Sequence, residues 1–297
     1  MLNTALDAIL LFILSVPVVM RYRILPVTGT PHWLFGVLFI ILTLNIYISL
    51  YAKKNTKFFN LSKLKFIFIW LTLCIALFGP ILTAIADRNK TAPEFNVHDI
   101  ILQQEEAMRY LLSGKNPYKE NYFGTSLEKF NYAELGKKAI NPALYHFVMP
   151  PWYLVFPFIF YFVSIPLLGF FDGRLVLIFC MLGLLIILNR WFKNKQIANF
   201  VIILTALNPA TVDYLIEGRS DVFALFWFVA SIFLLTGNRF SLASLFFGLA
   251  VLSKQTIWFA VPFFFYYLFL LLKNKKFIVK YVFITLATVV TIAGPFL

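Results

Sequence analysis

The chain has 297 residues, of which 61% are hydrophobic, 19% aromatic and only 13% charged, and its mean hydropathy is +0.83. No soluble core could hide so many apolar side chains, so the composition excludes a water-soluble globule and indicates an all-α, polytopic transmembrane helix bundle. The formal net charge of +13 does not point to nucleic acid, because the excess sits in short connectors between apolar runs.

In chain order, apolar runs at Ala5 to Met20, His32 to Tyr51 and Phe66 to Ala86 approach the ~20 residues needed to cross hydrocarbon. The first is not a cleavable leader, since Asp7 stands where a basic n-region should be. Residues 1–86 are therefore the first three spans of a single transmembrane domain covering 1–297. Residues 87–146 form a long polar loop in which eight acidic residues balance eight basic ones between Asp87 and Lys138. It carries an Asn89-Lys90-Thr91 sequon. After it, apolar runs begin near residues 147, 174, 197, 222, 240, 256 and 278. The run from 147 to 170 holds Pro150, Pro151, Pro157 and Pro166, each removing a helix hydrogen bond, so it reads as a re-entrant or broken element. The layout is then about nine full spans plus that one element.

This count places the basic connectors on one side: Lys53 to Lys65, Arg190 with Lys193 and Lys195, Arg239, and Lys273 to Lys280, with no acid among them. By the positive-inside rule that side is cytoplasmic, so the 87–146 loop is extracytoplasmic in a multi-pass cell-membrane protein. The loop at 210–221 and the turn at Lys254 face out with it. Cys74 and Cys180 both lie in apolar runs and read as small buried hydrophobes, not as a disulfide or metal motif.

The most polar long stretch is His98 to Tyr118, HDIILQQEEAMRYLLSGKNPY. Asp99 sits where a helix would start and Gly114 where it would stop, with Pro117 beyond. Ile101, Met108, Leu111 and Leu112 give one apolar stripe while Gln103, Glu106 and Arg109 point elsewhere, the pattern of an amphipathic helix lying along a membrane surface. An Asp in this position is commonly only a cap. Further on, Asn208 to Asp221 gathers Asp213, Glu217, Arg219 and Asp221 between two spans, and Lys254 ends another. Charges at a membrane edge are costly unless they perform some task, although a solvated loop and a snorkelling lysine are the plainer readings.

An Asp opening an amphipathic helix that ends in Ser113-Gly114-Lys115-Asn116-Pro117-Tyr118 resembles the first outer loop of the GT-C superfamily of integral-membrane glycosyltransferases. More narrowly it resembles bacterial polyprenyl-phosphate-mannose-dependent mannosyltransferases and relatives of GPI mannosyltransferase I. Tyr145 to Pro157, YHFVMPPWYLVFP, is similar to the aromatic segment after that loop. Asn208-Pro209 with Gly218-Arg219-Ser220-Asp221, and Gly248-Leu249-Ala250 with Lys254 and Pro262, resemble later elements. The likeness covers roughly residues 66 to 272 and rests on the order of these motifs.

The resemblance implies inverting transfer of a hexose, most simply mannose, from a polyprenyl-phosphate-sugar donor to a glycolipid or glycan acceptor, among membrane lipids and without nucleic acid. Asp99 is the expected catalytic base. His98, Glu106, Arg109, Asn116, Tyr118, Tyr145, Arg219, Asp221 and Lys254 are the expected substrate-binding residues, with the cations neutralising the departing phosphate. The resemblance makes no cofactor certain and leaves a divalent cation open: Asp99 follows His98 rather than a second acid, and Glu105 and Glu106 lie a turn or more away. The end at Gly294-Pro295-Phe296-Leu297, inside an apolar run, leads us to expect a longer natural chain. The alternative is a transporter or flippase of lipid-linked or small solutes, which should carry ionisable residues deep among its spans.

Overall fold

The computed structural model describes residues 2–22, 31–51, 60–91, 97–130, 132–134, 137–271 and 275–297, and among these described residues fourteen α-helices carry most of the chain. In chain order they are α1 (Leu2–Tyr22), α2 (His32–Tyr51), α3 (Leu61–Leu73), α4 (Gly79–Thr91), α5 (Asp99–Leu112), α6 (Trp152–Val155) and α7 (Pro157–Leu168). Then follow α8 (Arg174–Trp191), α9 (Lys195–Leu207), α10 (Pro209–Glu217), α11 (Asp221–Thr236), α12 (Phe240–Val251), α13 (Val261–Leu271) and α14 (Lys275–Ala293). Besides short 3-10 turns, the described residues include one antiparallel pairing of two-residue strands, Ala133–Glu134 with Lys137–Lys138. The basic residues Lys53, Lys54, Lys57 and Lys273 lie outside the described residues.

The chain divides into two compact units, Met1–Pro93 with Leu185–Ile216, and Glu94–Leu184 with Glu217–Leu297. In the first, α1 packs on α2 and α9. Its α3 runs into α4 through a π-turn at Cys74–Phe78. Pro80 explains the widening: its ring has no N–H and crowds the carbonyl four residues back, so the ladder shifts register and the Gly79 N–H reaches the Cys74 carbonyl. The resulting apolar rod, Leu61–Lys90, is 30 residues long. The sequon is therefore in its last turn, not in a loop.

This unit also buries an ion pair. Lys65 Nζ donates to Asp7 Oδ1 at 2.7 Å, and Asn199 Nδ2 donates to Asp7 Oδ2 at 3.0 Å. Asp7 and Lys65 are 2% and 7% exposed, so Lys65 is a packed member of the bundle rather than a free connector charge.

In the second unit, α12 packs against both α11 and α14. Gly248 permits the second approach, because a Cβ there would lie 2.8 Å from Thr288 Cβ. Phe247 stacks on Phe264 with ring centroids 4.0 Å apart, beside Leu235, Leu268 and Tyr281. Ser231 closes the helix pair by donating to the Ala243 carbonyl at 2.9 Å.

Outward-facing Leu167, Phe259, Phe263 and Phe283 are each at least 70% exposed. Large apolar side chains on the outside fit a lipid environment. Four described helices are long and apolar enough to cross a membrane: His32–Tyr51, Leu61–Lys90, Arg174–Trp191 and Lys276–Phe296. A fifth arises if the bent pair α9 and α10 is one span.

Among the described residues, four or five helices meet that length, so the expected nine full spans are not shown. At ~1.5 Å per residue, α11, α12 and α13 are well under the ~30 Å of hydrocarbon. They are cut short by the turn at Gly237-Asn238 and by Lys254, whose φ and ψ of −159° and 141° are extended. The 147–170 run resolves into α6 followed directly by α7, broken at Pro157. Among the described helix pairs the sharp bend, of 50°, lies instead at Asn208.

Candidate active site

From residue 97 on, the described part of the long polar loop folds within the second unit, and α5 is its axis. The helix begins and ends as its sequence indicates: His98 occupies the N-cap, Asp99 the first turn, and Gly114 follows the C-cap with φ +78°. Its packing departs from expectation. Gln103, Gln104 and Glu106 are buried along with Ile101 and Met108, whereas Leu112 of the apolar stripe is exposed. This is not a helix floating on a surface, because its amides are clamped by the chain that follows.

Gln103 Nε2 donates to the carbonyls of Ala143 and His146 at 2.6 and 2.7 Å, and its Oε1 accepts from the Val148 N–H at 3.2 Å. Gln104 Nε2 donates to the Tyr153 carbonyl at 2.6 Å. Two glycines let the helix sink further. A Cβ on Gly173 would lie 2.9 Å from Ile101 Cδ1, and one on Gly218, whose φ is +89°, would lie 2.6 Å from Ile101 Cγ1. The His98 N–H donates to the Glu217 carbonyl at 2.6 Å, joining the start of α5 to the 217–221 segment.

Asp99 sits at this junction and is 9% exposed. Asn141 Nδ2 donates to its Oδ2 at 2.8 Å, and His98 Nδ1 lies 2.6 Å from its Oδ1. The same Nδ1 accepts from the Ile100 N–H at 3.3 Å, capping the start of α5. Burial pushes the Asp99 carboxyl up, but the hydrogen bond and charge of His98, the Asn141 amide and the Ile100 N–H outweigh it and hold the group below the usual carboxylate value. The carboxylate is thus ionised at neutral pH.

A depressed folded value contributes stability above the unfolded value of ~3.9, and that contribution is lost as pH falls through the folded one. The difference in unfolding temperature between wild type and Asp99→Asn in detergent should therefore hold from pH 7 to about 5 and shrink below about 4. A difference independent of pH would contradict the assignment.

Beside Asp99 opens a cleft of about 430 Å³ lined by Phe123, Glu128, Phe130, Tyr132, Ile140 and Asn141 among others. Asn141 belongs to both the cleft wall and the Asp99 carboxylate, and the Phe130 ring centroid is 6.3 Å from that of His98. The site is therefore an ionised carboxylate behind an amide, at the edge of an aromatic hollow.

The other expected residues divide into several groups. Lys254 Nζ donates to Asp221 Oδ1 at 2.8 Å, so the Lys254 turn and the start of α11 do meet. Arg219 lies on Glu217 at 2.7 Å, partly exposed. Arg109 is paired with Glu106, which also accepts from Ser126 Oγ at 3.0 Å; ten residues along α5 from Asp99, it is ~15 Å away.

Asn116 and Tyr118 hold the fold through main-chain carbonyls. Asn116 Nδ2 donates to Phe296 at 2.9 Å and Tyr118 Oη to Met149 at 2.6 Å. Tyr145 is exposed and packs edge-on against Phe123 of the cleft. Among the described residues no three His, Cys, Asp or Glu side chains converge as metal ligands.

The sequence reading does not single out Asn141. It also missed Asp172 and Arg174. Arg174 Nε and Nη2 donate to Asp172 at 3.0 and 2.8 Å, and Arg174 is 0% exposed. The signal was present: opposite charges flanking one glycine at the head of an apolar span are costly unless paired.

No family model matches this chain, and neither a curated protein nor a solved structure matches it.

Proposed function

We propose that the chain is an integral-membrane glycosyltransferase that moves a hexose, mannose in the first instance, from a polyprenyl-phosphate-sugar donor to a lipid-linked or cell-envelope acceptor on the extracytoplasmic face. The observation that supports this best is Asp99, buried yet held ionised by His98 and Asn141 beside the aromatic cleft. Flat rings suit the C–H faces of a sugar, and a few convergent polar groups suit its hydroxyls.

In the proposed reaction the acceptor hydroxyl gives its proton to Asp99 as its oxygen bonds to the anomeric carbon. The bond from that carbon to the phosphate oxygen breaks, and the electron pair leaves with the phosphate. His98 and Asn141 aim the carboxylate, and Lys254 is the nearest-buried of the expected cations for the phosphate, at 18% side-chain exposure. A lipid tail explains why the donor would be met by a chain with lipid-facing helices and no Gly-rich nucleotide loop.

The test is transfer by membranes containing the chain. Radiolabelled polyprenyl-phosphate-mannose should label a lipid or envelope product without any nucleotide sugar; no transfer from the lipid donor would overturn the proposal.

One observation favours the second reading, a transporter or flippase: the buried Asp7–Lys65–Asn199 group among α1, α3 and α9. The two readings separate on the double variant Asp7→Leu with Lys65→Met, which removes both charges together and so avoids leaving one unpaired. For a transferase it should retain transfer within about threefold, since packed apolar replacements of a buried pair are often tolerated. Abolished substrate movement, with no transfer measured in the parent, would establish the second reading.

A further inference from the structure

The far end of the second unit carries a basic cleft that the transferase reading does not use. From Asp221, at the site end, α11 runs 16 residues, or ~24 Å, to the turn at Gly237-Asn238. There a cleft of about 290 Å³ opens between that turn and the first half of α14. Arg239 reaches it from the turn and Lys280 from α14, with Asn238 and Ser241 as neutral polar groups and Phe240 and Phe277 as an apolar wall.

The electrostatics of this cleft are one-sided. No Asp or Glu occurs anywhere in residues 222–297, and among the described residues neither Arg239 nor Lys280 has a carboxylate partner. By contrast, the expected cations of the site end, Arg109, Arg219 and Lys254, are each paired. Two unneutralised cations from separate elements, facing one hollow at the end of apolar helices, are an arrangement that needs an anion. The ring pair Phe240–Phe277, with centroids 5.6 Å apart, gives that anion an apolar neighbour.

We propose that this cleft binds the phosphate headgroup of an anionic phospholipid in the leaflet opposite the Asp99 site. Arg239 supplies a planar fork of donors for the phosphate oxygens and Lys280 a second charge, while the acyl chains lie along Phe240 and Phe277. The positive connectors expected on this side attract anionic lipid generally; the cleft adds a defined seat. The inference rests on the membrane reading and not on the transferase reading, so the two can fail separately.

The experiment is native mass spectrometry of the intact chain released from nanodiscs made of equal parts phosphatidylglycerol and phosphatidylcholine. The wild type should retain one phosphatidylglycerol in preference to phosphatidylcholine. The exposed double variant Arg239→Gln with Lys280→Gln should weaken that retention about thirtyfold, each single change giving part of the loss. Arg190→Gln with Lys193→Gln, which removes the same charge from a connector of the first unit, should leave retention unchanged. Equal retention of the two lipids by the wild type, parallel loss in both double variants, or complete displacement by glycerol 1-phosphate alone would overturn the proposal.

Discussion

Asp99→Asn is expected to lower sugar transfer by about 10²- to 10⁴-fold, the range that a positioned general base contributes, with little change in the amount of folded protein. The substitution keeps the shape of the side chain, and its amide oxygen can still accept from Asn141 Nδ2, now 2.8 Å from the carboxylate. What the amide cannot do is take a proton from an acceptor hydroxyl. Asn141→Ala should be milder. It frees a carboxylate that is also held by His98 at 2.6 Å, so the base survives but loses one of the two contacts that aim it. Rates in purified protein, compared at saturating donor, check both. Asp99→Asn activity within about threefold of wild type would remove Asp99 from the chemistry.

The second large effect is on stability. Arg174→Gln should destabilise the second unit by about 3 to 5 kcal/mol, because it breaks a buried ion pair by removing one charge. Arg174 and Asp172 are 0% and 2% exposed, and three bonds join them, counting the Arg174 N–H to Asp172 Oδ1 at 2.9 Å. The pair also supports the site. A Cβ on Gly218 would meet Arg174 Cγ at 3.2 Å, so the arginine stem forms part of the floor on which the 217–221 segment rests against Ile101. Replacing both partners, Asp172→Leu with Arg174→Met, should recover most of the loss, since both charges of the pair are removed together. Thermal unfolding in detergent of the two variants distinguishes these cases; equal destabilisation by both would show that packing around Arg174 matters more than its charge.

Apolar periodicity made the helices legible, because each lipid-facing or core-facing run is long and bounded by Gly, Pro or a basic pair. Thus Arg174–Trp191, Asp221–Thr236 and Phe240–Val251 begin close to the runs read from the sequence. Crossing the membrane was less legible, since apolarity fixes that a segment avoids water but not whether 12 residues continue past a turn such as Gly237-Asn238.

In the site, Asp99 and the pairing of the Lys254 turn with Asp221 lay in stretches already singled out. Asn141 did not, because its role comes from a contact across 42 residues that no local pattern encodes. The burial of Gln103 and Gln104 was hidden for the same reason. Their partners are backbone carbonyls at residues 143 to 153, and a carbonyl has no sequence signature.

The most direct measurement is an experimental structure of the purified chain with a non-transferable phosphonate analogue of polyprenyl-phosphate-mannose and a disaccharide acceptor. The account predicts sugar density in the cleft lined by Phe123, Phe130, Tyr132 and Asn141, with an acceptor hydroxyl within ~3 Å of the Asp99 carboxylate. Sugar bound elsewhere, with Asp99 still engaged only by His98 and Asn141, would contradict it.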